Sequence, residues 1–192
     1  MTMDNKFKVE HAHKLDNPER LEWQNPSKLF PILDAASPES FVEIGVGTGF
    51  WALPIAEHYP KCRVTGLDIC DEMLAIFKKN AAARKLSNVA AALCDESKTS
   101  MPACSADAVL VANVYHELAE PEKMLAEIHR ILRPGGALIV VDWKSEETPK
   151  GPPLEERVAA FIVKKAMEKT GFSNTETLCN VYPYQHTITG KK

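Results

Sequence analysis

From Ser40 onward, short apolar runs alternate with stretches in which apolar residues recur every three or four positions. Phe41 to Ile44 predicts a buried strand, and a glycine-rich turn leads into a helix from about Phe50 to His58. Cys62 to Leu67 predicts a second strand closed by Asp68. Asp71 can cap a long helix with Met73, Leu74, Phe77 and Ala81 at helical spacing. Val89 to Leu93 and Asp107 to Ala112 read as third and fourth strands. Pro121 fits the first turn of a helix whose Met124, Leu125, Ile128, Ile131 and Leu132 form one stripe. Arg133-Pro134-Gly135-Gly136 stops that helix before a fifth strand, Ala137 to Val141. Pro152 and Pro153 start a further helix with Leu154, Val158, Phe161 and Ile162, ended by Gly171. Thr175 to Tyr182 and Tyr184 to Thr189 meet at Pro183 and read as an antiparallel pair.

Upstream the pattern is weaker. Residues 1–24 are polar and broken at Asn17-Pro18, which suggests an arm or lid. A helix starting near Asn25-Pro26-Ser27, with Leu29, Ile32 and Leu33, opens a single domain over residues 25–192. Five apolar strands separated by helices imply a doubly wound, mostly parallel α/β sheet covered on both faces. With the final pair the sheet has seven strands, one of them antiparallel at the C-terminal end. Ligands of such sheets bind beyond the carboxyl ends of the strands, where the strand order reverses. That rule directs attention to the residues just after 44, 67, 93, 112 and 141.

Composition narrows the partners. The 192 residues suit one domain, and a formal charge of -3 offers no footprint for a polyanion such as nucleic acid. The N-terminus lacks the apolar core of a signal peptide, and no run approaches the roughly 18 apolar residues of a membrane span. A cytoplasmic protein is expected. Five cysteines, odd in number and without a CxxC pair, read as reduced thiols rather than a disulfide framework or zinc site. His11-x-His13 lacks a third ligand and reads as part of the surface arm, so no metal is expected.

The first strand runs into Glu43-Ile44-Gly45-Val46-Gly47-Thr48-Gly49. Gly45 permits a tight turn, Gly47 lets a ligand approach the backbone, and Gly49 lets the next helix pack close. The spacing differs from the G-x-G-x-x-G dinucleotide fingerprint, whose last position is Phe50 here. No basic residue follows the turn, and Glu43 would repel phosphate, so a nucleoside without phosphate is the better fit. Asp68, about twenty residues beyond the turn, can accept from both ribose hydroxyls.

Phe41-Val42-Glu43-Ile44-Gly45-Val46-Gly47-Thr48-Gly49 resembles the first motif of class I S-adenosylmethionine (SAM)-dependent methyltransferases. Asp68-Ile69-Cys70-Asp71-Glu72-Met73-Leu74 is similar to the second motif of the type 11 methyltransferase domain, the group that includes quinone-biosynthesis C-methyltransferases. Met101-Pro102 through Asp107-Ala108-Val109 and Leu132-Arg133-Pro134-Gly135-Gly136 match later passages in order. The resemblance covers roughly residues 25 to 190 and implies a Rossmann-like fold.

It also implies roles. Gly45, Val46, Gly47 and Gly49 would hold the methionine part of SAM, with Glu43 at its amino group and Asn113 nearby. Asp68 would bind the ribose, Ile69 and Met73 would flank the adenine, and Cys94-Asp95-Glu96 would bring Asp95 to the adenine amino group. Cys70 stands where the family usually has Ser or Asn. Tyr115 and His116 would face the methyl acceptor, with His116 able to take its proton; a purely loop-closing role for both is the alternative. Asp142, Trp143 and, from the arm, Trp23 would border the acceptor, although Trp143 could equally cover the end of the sheet. The expected function is methyl transfer from SAM to a small molecule, leaving S-adenosylhomocysteine. The rival readings are a non-catalytic SAM or nucleoside binder and, less well matched, an NAD(P)-dependent oxidoreductase. A quinone-like ring, another metabolite and arsenite all remain open as acceptors, with arsenite disfavoured because few thiols reach the active edge.

Overall fold

A computed structural model describes residues 12–192. His11 therefore lies outside the described residues, as does the side chain of His13, and with them the His11-x-His13 pair. Two short helices, α1 (Ala12–Leu15) and α2 (Arg20–Gln24), form the arm. A 3-10 turn at Pro26–Leu29 leads into α3 (Phe30–Ala36). Asn25 caps that turn by accepting from Ser27 N, with Pro26 at its first position.

The alternation predicted from Ser40 is present: β1 (Ser40–Ile44), α4 (Ala52–His58), β2 (Arg63–Asp68), α5 (Asp71–Ala83), β3 (Val89–Leu93) and β4 (Ala106–Ala112). It continues with α6 (Pro121–Ile131), β5 (Leu132–Trp143), α7 (Ala160–Thr170), β6 (Ser173–Leu178) and β7 (Gln185–Lys191). The seven strands lie in the order β3-β2-β1-β4-β5-β7-β6. Only β7 runs antiparallel, to both β5 and β6. The order reverses between β1 and β4, which pair in parallel from Phe41–Ala108 to Ile44–Val111.

Period-two alternation in buried strands sends successive side chains to opposite faces. Phe41, Leu110, Ile139 and Val141 meet α3, α4 and α5 through Leu33, Leu53, Ile55, Leu74 and Phe77. Val42, Val109, Val111 and Val140 meet α6 and α7 through Met124, Leu125, Ile128, Val163 and Met167. Each of these fully buried side chains stabilises the fold by roughly 1.5–3 kcal/mol relative to exposure.

Some predicted details change. Leu132, expected on the stripe of α6, is the first residue of β5, and the strand expected over Thr175 to Tyr182 is Ser173–Leu178. Asp71 does not cap α5 but is its first residue; Cys70 occupies the capping position without a side-chain cap, and Asp71 and Glu72 place negative charge in the first turn. The helix expected from Pro152 is a single 3-10 turn at Leu154–Glu156, and α7 starts only at Ala160. Arg157 explains the delay. Its guanidinium donates to the carbonyls of Pro152 and Glu146 and to Thr148 Oγ1, holding the segment as a loop. Phe161 and Ile162 are consequently exposed, at 71% and 48%, while Val163 and Met167 face the core. Among the described residues no helix is long and apolar enough to cross a membrane.

Candidate active site at the switch point

The reversal of strand order opens a cavity of about 430 Å³ beyond the carboxyl ends of β1, β2, β3 and β4. The glycine turn forms its roof. Gly45 has φ +69°, and a Cβ there would lie 2.5 Å from Val114 Cγ2, so the turn presses directly on the loop after β4. Gly49 (φ +92°) faces away from the cavity; a Cβ would come within 2.6 Å of Phe77 and 2.8 Å of Leu53. It is the close-packing glycine that the spacing suggested, and it does not reach the cavity with Gly45, Val46 and Gly47 as the resemblance implied.

Gly47 N donates to Asp68 Oδ2 at 2.9 Å, and Cys70 N donates to Asp68 Oδ1 at 3.0 Å. One carboxylate thus ties the β1 turn to the β2 turn while each oxygen keeps a lone pair. Burial raises the Asp68 pKa, opposed by N–H donors from Gly47, Cys70 and Ile69. Glu43 is buried at 1% exposure, lines the cavity, and has an Oε2 with no hydrogen-bond partner among the described residues. Burial holds its carboxyl well above the ordinary range, countered in part by the Ala52 N–H and by Arg20.

Arg20 comes from α2 of the arm, and a role for it is not apparent in any motif. Its guanidinium lies 3.8 Å above the Phe50 ring and donates to Gln24 Oε1 and to the Leu15 carbonyl. Burial brings its pKa down to about 10, with Asp16 and Glu43 opposing that fall. Seven acidic residues line the cavity (Glu43, Asp68, Asp71, Glu72, Asp95, Glu96 and Glu117), and Arg20 is the one basic residue among its described lining. A pyrophosphate would meet repulsion here. A cationic ligand with a single carboxylate would be matched.

The remaining predicted donor residues converge on the same cavity: Val46, Ile69, Met73, Cys94, Asp95, Glu96 and Asn113 all line it. Met73 is buried, whereas Ile69 is 43% exposed at the rim. Asn113 adopts φ +56° and accepts from Gln24 Nε2 at 3.0 Å, which fastens the arm to the end of β4.

The predicted acceptor residues distribute differently. Tyr115 lies in the core under the sheet at 4% exposure, not on the cavity wall, and burial pushes its phenol up to about 12. Its place directly after an apolar strand makes it a continuation of the core. His116 is also inward-facing. Its Nδ1 lies 2.7 Å from Asp142 Oδ1, and its backbone N donates to Asp142 Oδ2 at 2.9 Å. Burial alone would lower the His116 pKa, but the Asp142 hydrogen bond and the charges of Asp142, Glu117 and Glu156 outweigh it, and the net shift is upward. Glu117, the next residue, does line the cavity, with its Oε1 3.8 Å from His116 Nε2. Trp143 is covered by Trp23 from the arm, ring centroids 5.6 Å apart, and Trp23 also meets Tyr184 at 5.8 Å. Asp142, Trp143 and Trp23 therefore form a buttress beside the cavity and do not line it.

Sequence reading missed Arg20 and Glu117. For Arg20 a signal existed: a ligand bearing a carboxylate needs a cation, the motifs contain none, and the polar arm offers one.

Residues 42–140 match the methyltransferase domain family. Among curated proteins the chain is 36% identical over 115 residues to demethylmenaquinone methyltransferase of Thermus thermophilus, covering 60% of this chain and 51% of that protein. It is 31% identical over 123 residues to phosphatidylethanolamine N-methyltransferase of Cereibacter sphaeroides, covering 62% and 58%. The chain thus spans about half the length of the curated relatives it matches. Its fold superposes on a SAM-dependent methyltransferase from Aquifex aeolicus with a TM-score of 0.88 and 30% identity, covering 97% of this chain and 99% of that one. With the glycine turn, the acid at the end of β2 and the switch-point cavity in the family's arrangement, the chain belongs to the methyltransferase domain family, among the SAM-dependent methyltransferases.

Proposed function

We propose that the protein transfers the methyl group of SAM to a small-molecule acceptor, and that Arg20 and Glu43 together hold the amino-acid end of the donor. The observation carrying this reading is the pairing, in one cavity, of the one described guanidinium with a buried carboxyl whose Oε2 has no partner among the described residues. A methionine zwitterion satisfies both at once. Asp68, at the end of β2, takes the ribose hydroxyls on its remaining lone pairs. Ile69 and Met73 flank the adenine, and Asp95 receives its amino group.

SAM supplies a methyl group already activated on a sulfonium, so the protein needs chiefly to align the acceptor and exclude water. Exclusion falls to the arm, whose Leu15 and Arg20 close the cavity. We favour a quinone-like ring as the acceptor, because a relative is named for demethylmenaquinone. His116, fixed by Asp142, acts as a positioning residue for the loop after β4. The unpaired cysteines favour a reducing, cytoplasmic setting.

Calorimetric titration tests the donor half. SAM and S-adenosylhomocysteine should bind in the micromolar range and raise the melting temperature. Arg20→Ala should weaken both by roughly 1–3 kcal/mol, the scale of a charge-assisted hydrogen bond to a carboxylate. No binding at millimolar ligand would refute the reading. Transfer of label from methyl-labelled SAM to quinols supplied one at a time tests the acceptor half.

A further inference from the structure

Methyl transfer breaks the carbon–sulfur bond, leaves its electron pair on sulfur, and carries the methyl to the acceptor. The ligand left behind has lost one positive charge. A residue whose charge is felt at that sulfur therefore binds the donor and its product unequally. It must sit between the donor end of the cavity and the acceptor, since the methyl has to face both.

Glu117 is the acid of the cavity wall that stands next to the His116–Asp142 pair. It lines the donor cavity, yet it belongs to the turn after β4 that also carries His116. It interacts electrostatically with Asp68 on the donor side and with Asp142 and Glu156 toward the end of β5. Among the described residues the polar contact recorded for its carboxyl is His116 Nε2 at 3.8 Å, too long for a hydrogen bond. The other acids of the wall are differently engaged or differently placed. Asp68 accepts two backbone N–H groups. Glu43 is buried on β1 and interacts with Arg20, Asp71 and Glu72 belong to the exposed first turn of α5, and Asp95 and Glu96 lie on the loop after β3.

We infer that Glu117 is the specificity residue by which the cavity prefers a sulfonium ligand over the neutral thioether that methyl transfer leaves. The His116–Asp142 pair positions it: Asp142 holds the imidazole by Nδ1 and by the backbone, so Nε2 is presented toward Glu117. Product release follows from the same contact, because the attraction disappears with the positive charge. The inference rests on the donor reading above.

Burial among Asp142, Asp68 and Glu156 pushes the Glu117 carboxyl up to about 7, with His116 opposing, so the preference should change across neutral pH. SAM and S-adenosylhomocysteine are titrated separately into the full chain at about pH 6 and about pH 8, on either side of that value. In the wild type the ratio of product to donor dissociation constants should rise roughly tenfold between the two, the scale of one half-buried charge pair at several ångströms. Glu117→Gln should lower the ratio at the higher pH and flatten its pH dependence, while S-adenosylhomocysteine affinity stays within about twofold, since a neutral thioether gives that carboxylate no charge to attract. The difference between wild type and variant cancels titration of the ligands' own amino groups. Glu117→Asp, keeping the charge, should restore part of the dependence. A Glu117→Gln protein that retains the wild-type ratio and its pH dependence would overturn the inference while leaving the donor reading intact. Failure of the wild type to bind either ligand would overturn the donor reading, and this one with it.

Discussion

Glu117 and Gly45 are governed by neighbours far away in the chain, and their substitutions should reveal it. The Glu117 carboxyl has a native pKa of about 7 against an ordinary 4.5, so the folded state disfavours its charge. Its contribution to stability is complete below the unfolded value and is lost as pH rises through the folded one. Glu117→Gln should therefore stabilise the ligand-free protein by about 1–3 kcal/mol at about pH 8 and leave it unchanged near pH 4, measured by urea unfolding. Gly45→Ala puts a methyl 2.5 Å from Val114 Cγ2 on a left-handed backbone and should cost about 1–3 kcal/mol in the same assay. Among the described residues Gly47→Ala meets Leu15 of the arm, at 3.3 Å, and should cost less. That Glu43, Asp68, Gly45 and Gly47 would gather at one cavity was legible in the sequence, because each sits at a fixed offset from a strand end. The place of Glu117 on that cavity was not, because only tertiary packing assembles it, and Arg20 was signalled only by the need for a cation to match a carboxylate. Tyr115 was assigned to the acceptor by its place in a motif, but the same place continues the apolar face of β4.

Elements were legible wherever local periodicity and tertiary packing agree. The stripe on α6 is an example: Met124, Leu125, Ile128 and Ile131 are all buried. The same helix buries Glu127, which no apolar pattern anticipates. Glu127 Oε1 accepts from Thr99 N at 2.8 Å, Thr99 Oγ1 at 2.7 Å and Arg130 Nη2 at 2.7 Å, and Oε2 accepts from Arg130 Nε at 2.7 Å. This single carboxylate fastens the segment between β3 and β4 to α6. Arg130, then burial in opposition, then Thr99 hold its pKa down at about 2. The stability it confers is present above the ordinary carboxylate value and is lost as pH falls through about 2. Glu127→Ala should destabilise the protein by about 2–4 kcal/mol at neutral pH, leaving Thr99 N without its acceptor, as thermal unfolding would show. The start of α7 was misread because Pro-Pro commonly opens a helix. A competing set of carbonyls bound by Arg157 has no local signature.

Across the whole molecule, the reversal of strand order between β1 and β4 decides where a ligand can enter, and a strand count with right-handed crossovers was enough to foresee it. The contribution of the arm was foreseen only as a lid. Its attachment is narrow: the Gln24–Asn113 hydrogen bond at 3.0 Å, the Arg20–Phe50 contact, and Trp23 against Trp143 and Tyr184. Trp23→Ala should leave the global melting temperature nearly unchanged and speed dissociation of S-adenosylhomocysteine roughly tenfold, the equivalent of about 1.4 kcal/mol, in stopped-flow displacement. An unchanged off-rate would mean the ligand leaves by a path that does not disturb the arm. The arm supplies both a wall of the cavity and its one described cation, so on the donor reading proposed above the exchange of spent for fresh donor should require the arm to unseat. Turnover would then contain one unstacking event, and its maximum frequency should carry the temperature dependence of an indole pair rather than that of the chemistry.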